Sequence, residues 1–189
     1  MKKEVIIAII FVLFFSFLSG CLDETDNDDD NVDDNDEGDE FVFTALDGSK
    51  IKLSNYRGKV VILDMWATWC NPCHAVMPEL KKIYEYYSRD DLEIMSVDID
   101  PRESVQYIQS FIDWFKDQYD VELNWIFGQD DGSISEKYMN EGAIPTLAVF
   151  DQKGRVYYRK AGVHAFREIP SGFPEDTPTL APILDELIS

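Results

Sequence analysis

A chain of 189 residues holds one medium domain, or a small domain with extensions, and is too short for two full enzymatic cores. Its 45% hydrophobic and 13% aromatic content suffices for a core and excludes a wholly disordered chain. The net charge of −20, from 17 Lys and Arg against 37 Asp and Glu, excludes a general basic surface for nucleic acid.

Residues 1–20 read as a secretion signal: Lys2-Lys3, an apolar run from Val5 to Leu18 broken only by Ser16, then Ser19-Gly20 before Cys21. The run falls short of the roughly 20 residues that cross a bilayer as a helix, so an N-terminal transmembrane anchor is the alternative reading. Leu18-Ser19-Gly20-Cys21 resembles the lipobox of bacterial and archaeal lipoproteins. That resemblance implies a lipid on the Cys21 thiol, with Cys21 the mature N-terminus at a membrane surface outside the cytoplasm. Residues 21–40 then form a tether. From Asp23 to Glu40 there are twelve acidic residues and one large apolar one, Val32, too little apolar surface to offset the entropy of ordering. A calcium loop is disfavoured, because the Gly and closing Glu that it requires do not fall in register.

Residues 41–189 alternate short apolar runs with amphipathic stretches. Phe41–Leu46 and Lys50–Leu53 read as a hairpin around Asp47-Gly48. Lys59–Met65 reads as a buried central strand. A helix is expected from Cys70 to about Ser88, kinked at Pro78. Leu92–Val97 is a further strand. In Glu103–Tyr119, Val105, Ile108, Phe111, Ile112, Phe115 and Tyr119 recur at spacings of three and four, the pattern of an amphipathic helix. A strand at Leu123–Phe127, a short helix at Ser133–Asn140, a hairpin of Thr146–Phe150 and Arg155–Arg159, and a closing helix at Thr179–Ile188 complete a mixed α/β domain.

Three cysteines are too few for a disulfide scaffold, so cysteine chemistry here is local. Cys70-Asn71-Pro72-Cys73 follows a strand within a βαβ pattern, the context in which a Cys-x-x-Cys reads as a redox pair. At a helix start Cys70 meets free backbone donors and the positive end of the dipole. Its thiol is therefore expected below the free value of about 8.5, toward the range of about 3.5 to 7.5. Cys70 is the attacking thiol, and Cys73, one turn deeper, resolves the mixed disulfide. Pro72 suits a first helical turn. Zinc is disfavoured, since only His74 and His164 remain as nitrogen ligands.

The run Val61 to Cys73 (VILDMWATWCNPC), Pro78 five residues later, and Gly142-Ala-Ile-Pro-Thr146 resemble the thioredoxin-fold oxidoreductases over about residues 41–189. The opening hairpin, the Leu53–Lys59 approach and the insertion between Asp98 and the Ile144-Pro145 loop resemble the TlpA-like branch of extracytoplasmic members. The resemblance implies a thioredoxin fold: a central mixed sheet flanked by helices, with an N-terminal hairpin. It implies a cis Pro145 facing the cysteines, with the Ile144 backbone pairing with a bound substrate strand. Asp64 stands where thioredoxins carry a buried Asp, which implies proton exchange with Cys73. TlpA-like proteins more often have Asn there and a Glu at the position of Val76, so the acid-base task has moved to Asp64. The lysine that accompanies the thioredoxin carboxylate is replaced by Ser96.

Around the motif, Trp69 is expected to form an apolar collar for a peptide substrate and Trp66 to pack in the core. His74 reads as a solvated helix histidine, and His164 as a loop residue bordering the site. The expected protein is a monomer and a membrane-tethered thiol-disulfide oxidoreductase, a reductant without a further cofactor. Its expected partners are exported proteins with thiols or disulfides and a membrane electron donor. Two alternatives compete: delivery of Cu(I) through the paired thiolates, and a peroxidase of the peroxiredoxin type. Copper-chaperone relatives space their cysteines by three residues. The peroxidase pattern Pro-x-x-x-Thr-x-x-Cys is absent, with Thr68 two residues before Cys70 and Leu63 at the proline position.

Overall fold

A computed structural model describes residues 38–189; the expected secretion signal, Cys21 and residues 21–37 of the expected tether lie outside the described residues. The centre of the fold is β3 (Val60–Trp66), every residue of which is buried. An unbroken apolar run with one Asp can occupy only a strand covered on both faces. It pairs in parallel with β4 (Leu92–Asp98) and antiparallel with β6 (Thr146–Phe150). With β1 at Val42–Ala45 and β2 at Lys50–Lys52, the sheet has the order β2-β1-β5-β4-β3-β6-β7. In it β5 is Ile126–Gln129 and β7 is Val156–Ala161. The helices are α1 (Asn71–Tyr86), α2 (Val105–Tyr119), α3 (Ser133–Tyr138) and α4 (Ala181–Ile188).

Alternation along β3 divides the core into two layers. Val60, Ile62 and Trp66 join one layer with Cys70, Cys73, Leu80, Phe111 and Leu147. Val61, Leu63 and Met65 join the other, with Phe41, Met95, Tyr138 and Phe150. Asp64 therefore lies on the cysteine-bearing side of the sheet. The hairpin of β1 (Val42–Ala45) and β2 (Lys50–Lys52) widens this sheet, with β1 antiparallel to β5. Gly128 makes the pairing possible, since a Cβ there would fall 2.4 Å from the Phe43 ring.

Several boundaries differ from the sequence reading. The strand expected at Leu123–Phe127 starts at Ile126, opposite Met95. Leu123 and Trp125 are buried outside the ladder, so burial without pairing produced a strand-like pattern. The short helix stops at Tyr138, ahead of a turn that places Gly142 at φ 62°. The last strand runs to Ala161. The closing helix starts at Ala181 because Thr179 bridges Ala165 instead. Helix α1 continues as one element through Pro78. Residues 39 and 40, expected in the tether, bond to the domain: Asp39 pairs with Lys137 at 2.9 Å and Glu40 accepts from the Ser54 N–H at 3.1 Å. Among the described residues no helix is long and apolar enough to cross a membrane.

Candidate active site

Strand β3 ends at Trp66, and a tight turn in which the Cys70 N–H donates to the Ala67 carbonyl at 3.1 Å delivers the chain to the start of α1. Cys70 is the N-cap. Its carbonyl accepts from the N–H groups of Cys73 and His74, and its Sγ accepts from the Cys73 N–H at 3.2 Å. A sulfur anion at this place meets the unpaired donors of the first turn. The two cysteines form a disulfide with S–S 2.03 Å and Cα atoms 5.2 Å apart, the fit that one helical turn permits. Both are almost fully buried, and Pro72 sits in the first turn as expected.

Near the pair in sequence, Trp69 is 58% exposed whereas Trp66 is fully buried in the core, as expected for Trp66. The Trp69 indole N–H donates to Asp100 Oδ2 at 2.8 Å. Hydrogen bonds from the Arg102 side chain, foremost, hold the Asp100 carboxyl well below the usual range. Trp69, Asp100, Arg102, Glu103, Ser104 and Tyr107 line an open groove of about 420 Å³.

The turn before Cys70 is tied down from two directions. The Thr68 N–H and hydroxyl both donate to the Glu103 carboxylate. The Thr68 carbonyl accepts from His74 Nε2 at 2.8 Å, which places the ring proton on that nitrogen. The His74 ring packs against Phe111, with centroids 4.8 Å apart. The expectation of a solvated helix histidine is thus corrected: His74 is half-buried and fastens the motif loop to α1 and α2. Glu103 was not singled out from the sequence, because its partner lies 35 residues away. Deeper in, burial and the neighbouring Glu103 push the Asp98 carboxyl up.

Asp64 is 2% exposed. Its Oδ2 accepts from the Ser96 hydroxyl at 2.8 Å, while its Oδ1 is buried without a partner among the described residues. Burial raises its pKa to about 7, against the lowering effect of the Ser96 bond. Ser96 in turn accepts from the Trp125 indole N–H at 2.9 Å, a contact that the sequence reading missed. A carboxyl poised near neutrality in the layer of a resolving thiol can take up and return a proton.

The Ile144-Pro145 peptide bond is cis. Pro145 is buried, and Ile144 packs against the layer that contains Cys70 and Cys73. Behind it, the Pro145 carbonyl accepts from the Gly162 N–H at 2.8 Å. His164 secures the same loop. Its Nδ1 donates to the Gly162 carbonyl at 2.8 Å and its Nε2 accepts from the Tyr158 hydroxyl at 3.0 Å. Burial lowers its pKa to about 4, so it is neutral and serves the loop. Glu79, also unflagged in the sequence, is buried in α1 and accepts from the Phe166 N–H at 2.9 Å, joining the same loop to the helix that carries the cysteines.

The model of the AhpC/TSA family matches residues 35–159. The chain is 32% identical over 118 residues to the thiol-disulfide oxidoreductase ResA of Geobacillus kaustophilus, across 62% of this chain and 63% of that protein. It is 31% identical over 138 residues to the protein of the same name from Bacillus cereus, across 73% and 75%. Among solved structures, the pneumococcal exposed lipoprotein thioredoxin from Streptococcus pneumoniae aligns with a TM-score of 0.57 and 26% identity, covering 79% of this chain and all of that one.

Proposed function

The chain belongs to the AhpC/TSA family and is a thiol-disulfide oxidoreductase of the thioredoxin superfamily, and from that premise we propose that it reduces disulfides of exported proteins while tethered to the outer side of a membrane. The observation that carries the reading is the Cys70–Cys73 disulfide closed across the first turn of α1. Supporting the tether are the lipobox-like residues 18–21 and the name of the Streptococcus pneumoniae relative, an exposed lipoprotein. Supporting a reductant is the buried Asp64, a titratable carboxyl on the side of the sheet that carries the cysteines.

The reaction starts from the reduced pair. The Cys70 thiolate attacks one sulfur of the substrate disulfide; that S–S bond breaks and the second substrate sulfur leaves as a thiolate. Asp64 takes the proton of Cys73, whose sulfur then attacks Cys70 Sγ and expels the first substrate sulfur. The substrate gains two electrons, and the protein is left as the Cys70–Cys73 disulfide. A dithiol or equivalent two-electron donor at the membrane must reduce that disulfide again. Trp69 and the cis Ile144-Pro145 segment offer the apolar surface and the backbone edge for the substrate chain.

The test uses the reduced protein with insulin disulfides as substrate. Cys70→Ser is expected to abolish turnover, and Cys73→Ser to accumulate a mixed disulfide through Cys70, visible by mass spectrometry. Turnover that survives Cys70→Ser, or rapid consumption of hydrogen peroxide in its place, would overturn the assignment. A midpoint potential below that of the glutathione pool is expected for a reductant.

A further inference from the structure

We propose that Ser96 and Trp125 are positioning residues that hold Asp64 through a one-way hydrogen-bond chain, making Oδ2 a permanent acceptor and Oδ1 the oxygen that carries the proton. The inference rests on the Asp64 role given above and names the residues that set it. The direction of the chain follows from donor chemistry. An indole nitrogen can only donate, so at 2.9 Å the Ser96 oxygen must accept from Trp125. The single Ser96 proton is then directed to Asp64 Oδ2 at 2.8 Å. Oδ2 keeps its lone pair for that bond, and the unpartnered Oδ1 is the atom left to bind or release a proton.

The arrangement is built into the sheet. Asp64 and Ser96 are direct partners in the parallel β3–β4 register, and on its other side Asp64 faces apolar Leu147 of β6. Helix α1 contributes Cys70 and Cys73 to the same layer, and Trp125 belongs to it as well. No charged side chain among the described residues acts on Asp64, so the hydroxyl alone opposes the effect of burial. A lysine at position 96 would tune the carboxylate by charge; the serine does so by a hydrogen bond, polarised by the indole behind it.

The experiment follows the Asp64 side-chain carboxyl by carbon NMR as a function of pH in the reduced full chain, with Asp64→Asn identifying the signal. The pH dependence of mixed-disulfide resolution is recorded in parallel. Ser96→Ala is expected to raise the Asp64 titration by about one to two pH units, the worth of one hydrogen bond to a charged group. Trp125→Phe keeps a ring in place and is expected to raise it by about half as much. Ser96→Thr, which restores the hydroxyl, is expected to return it toward the wild-type value. A carboxyl titration unmoved in folded Ser96→Ala and Trp125→Phe overturns the proposal. If the titration moves and the rate profile does not, the chain holds Asp64 as proposed and the proton-transfer role of Asp64 is the part that fails.

Discussion

Asp64 and His164 are both buried ionisable groups on the cysteine-bearing side of the sheet, and the fold treats them in opposite ways. His164 has a partner for each ring nitrogen, a hydroxyl on one and a carbonyl on the other. It stays neutral, and its two bonds hold the loop behind Pro145. Asp64 has one oxygen bonded and one buried without a partner among the described residues. An unmet hydrogen-bonding group in a packed interior costs stability, a cost that the fold carries at Asp64 and not at His164. Burial is common to both groups; what separates them is how completely each is hydrogen-bonded.

Substitution of the carboxyl gives the sharpest contrast. The folded-state pKa of Asp64, about 7, lies above the ordinary carboxyl value of 3.8. The stability associated with its proton is thus fully present below the unfolded value and is lost as pH rises from about 4 to about 7. Asp64→Asn does not titrate, so it is expected to gain on the wild type above pH 7 by at most about 4 kcal/mol, measured as denaturant midpoints at pH 5 and pH 8. The same variant is expected to slow disulfide exchange near neutral pH by about 100-fold, read by stopped flow. A variant that gained stability without losing rate would break the comparison.

His164 carries the opposite sign. Its folded-state pKa of about 4 lies below the ordinary imidazole value of 6.5, so the stability of its neutral form is present above 6.5 and is lost as pH falls toward 4. The acid limb is expected to remove about 3 kcal/mol, and His164→Gln to flatten that limb while exchange at neutral pH is preserved. The smallest effect is expected from Tyr158→Phe, which leaves His164 Nε2 without its donor. A loss of about 1 to 2 kcal/mol at pH 8, seen in thermal or urea unfolding with no change in exchange rate, would sharpen the separation of the loop from the chemistry.

Much of this molecule was legible in its residues. The apolar run of β3, the three- and four-residue spacing of α2 and the Cys-x-x-Cys after a strand rest on neighbours within a few positions, where pattern and geometry are nearly the same thing. Even there, Trp125 misled: a buried aromatic beside β5 reads as a strand residue although its backbone does not pair. Glu103 and Glu79 carried no local signal, because Thr68 lies 35 residues from the one and Phe166 lies 87 from the other. His74 read as solvated because only α2, packed across it, supplies the Phe111 ring.

The sequence by itself determined the chemistry available: two thiols one helical turn apart, a carboxyl in an apolar strand and a proline after Ile144. Only the tertiary structure decided how that chemistry is tuned. Strand register set Ser96 against Asp64, placed Trp125 behind Ser96 and left one carboxyl oxygen bare, since hydrogen bonds between residues about 30 positions apart exist only once the sheet has aligned them.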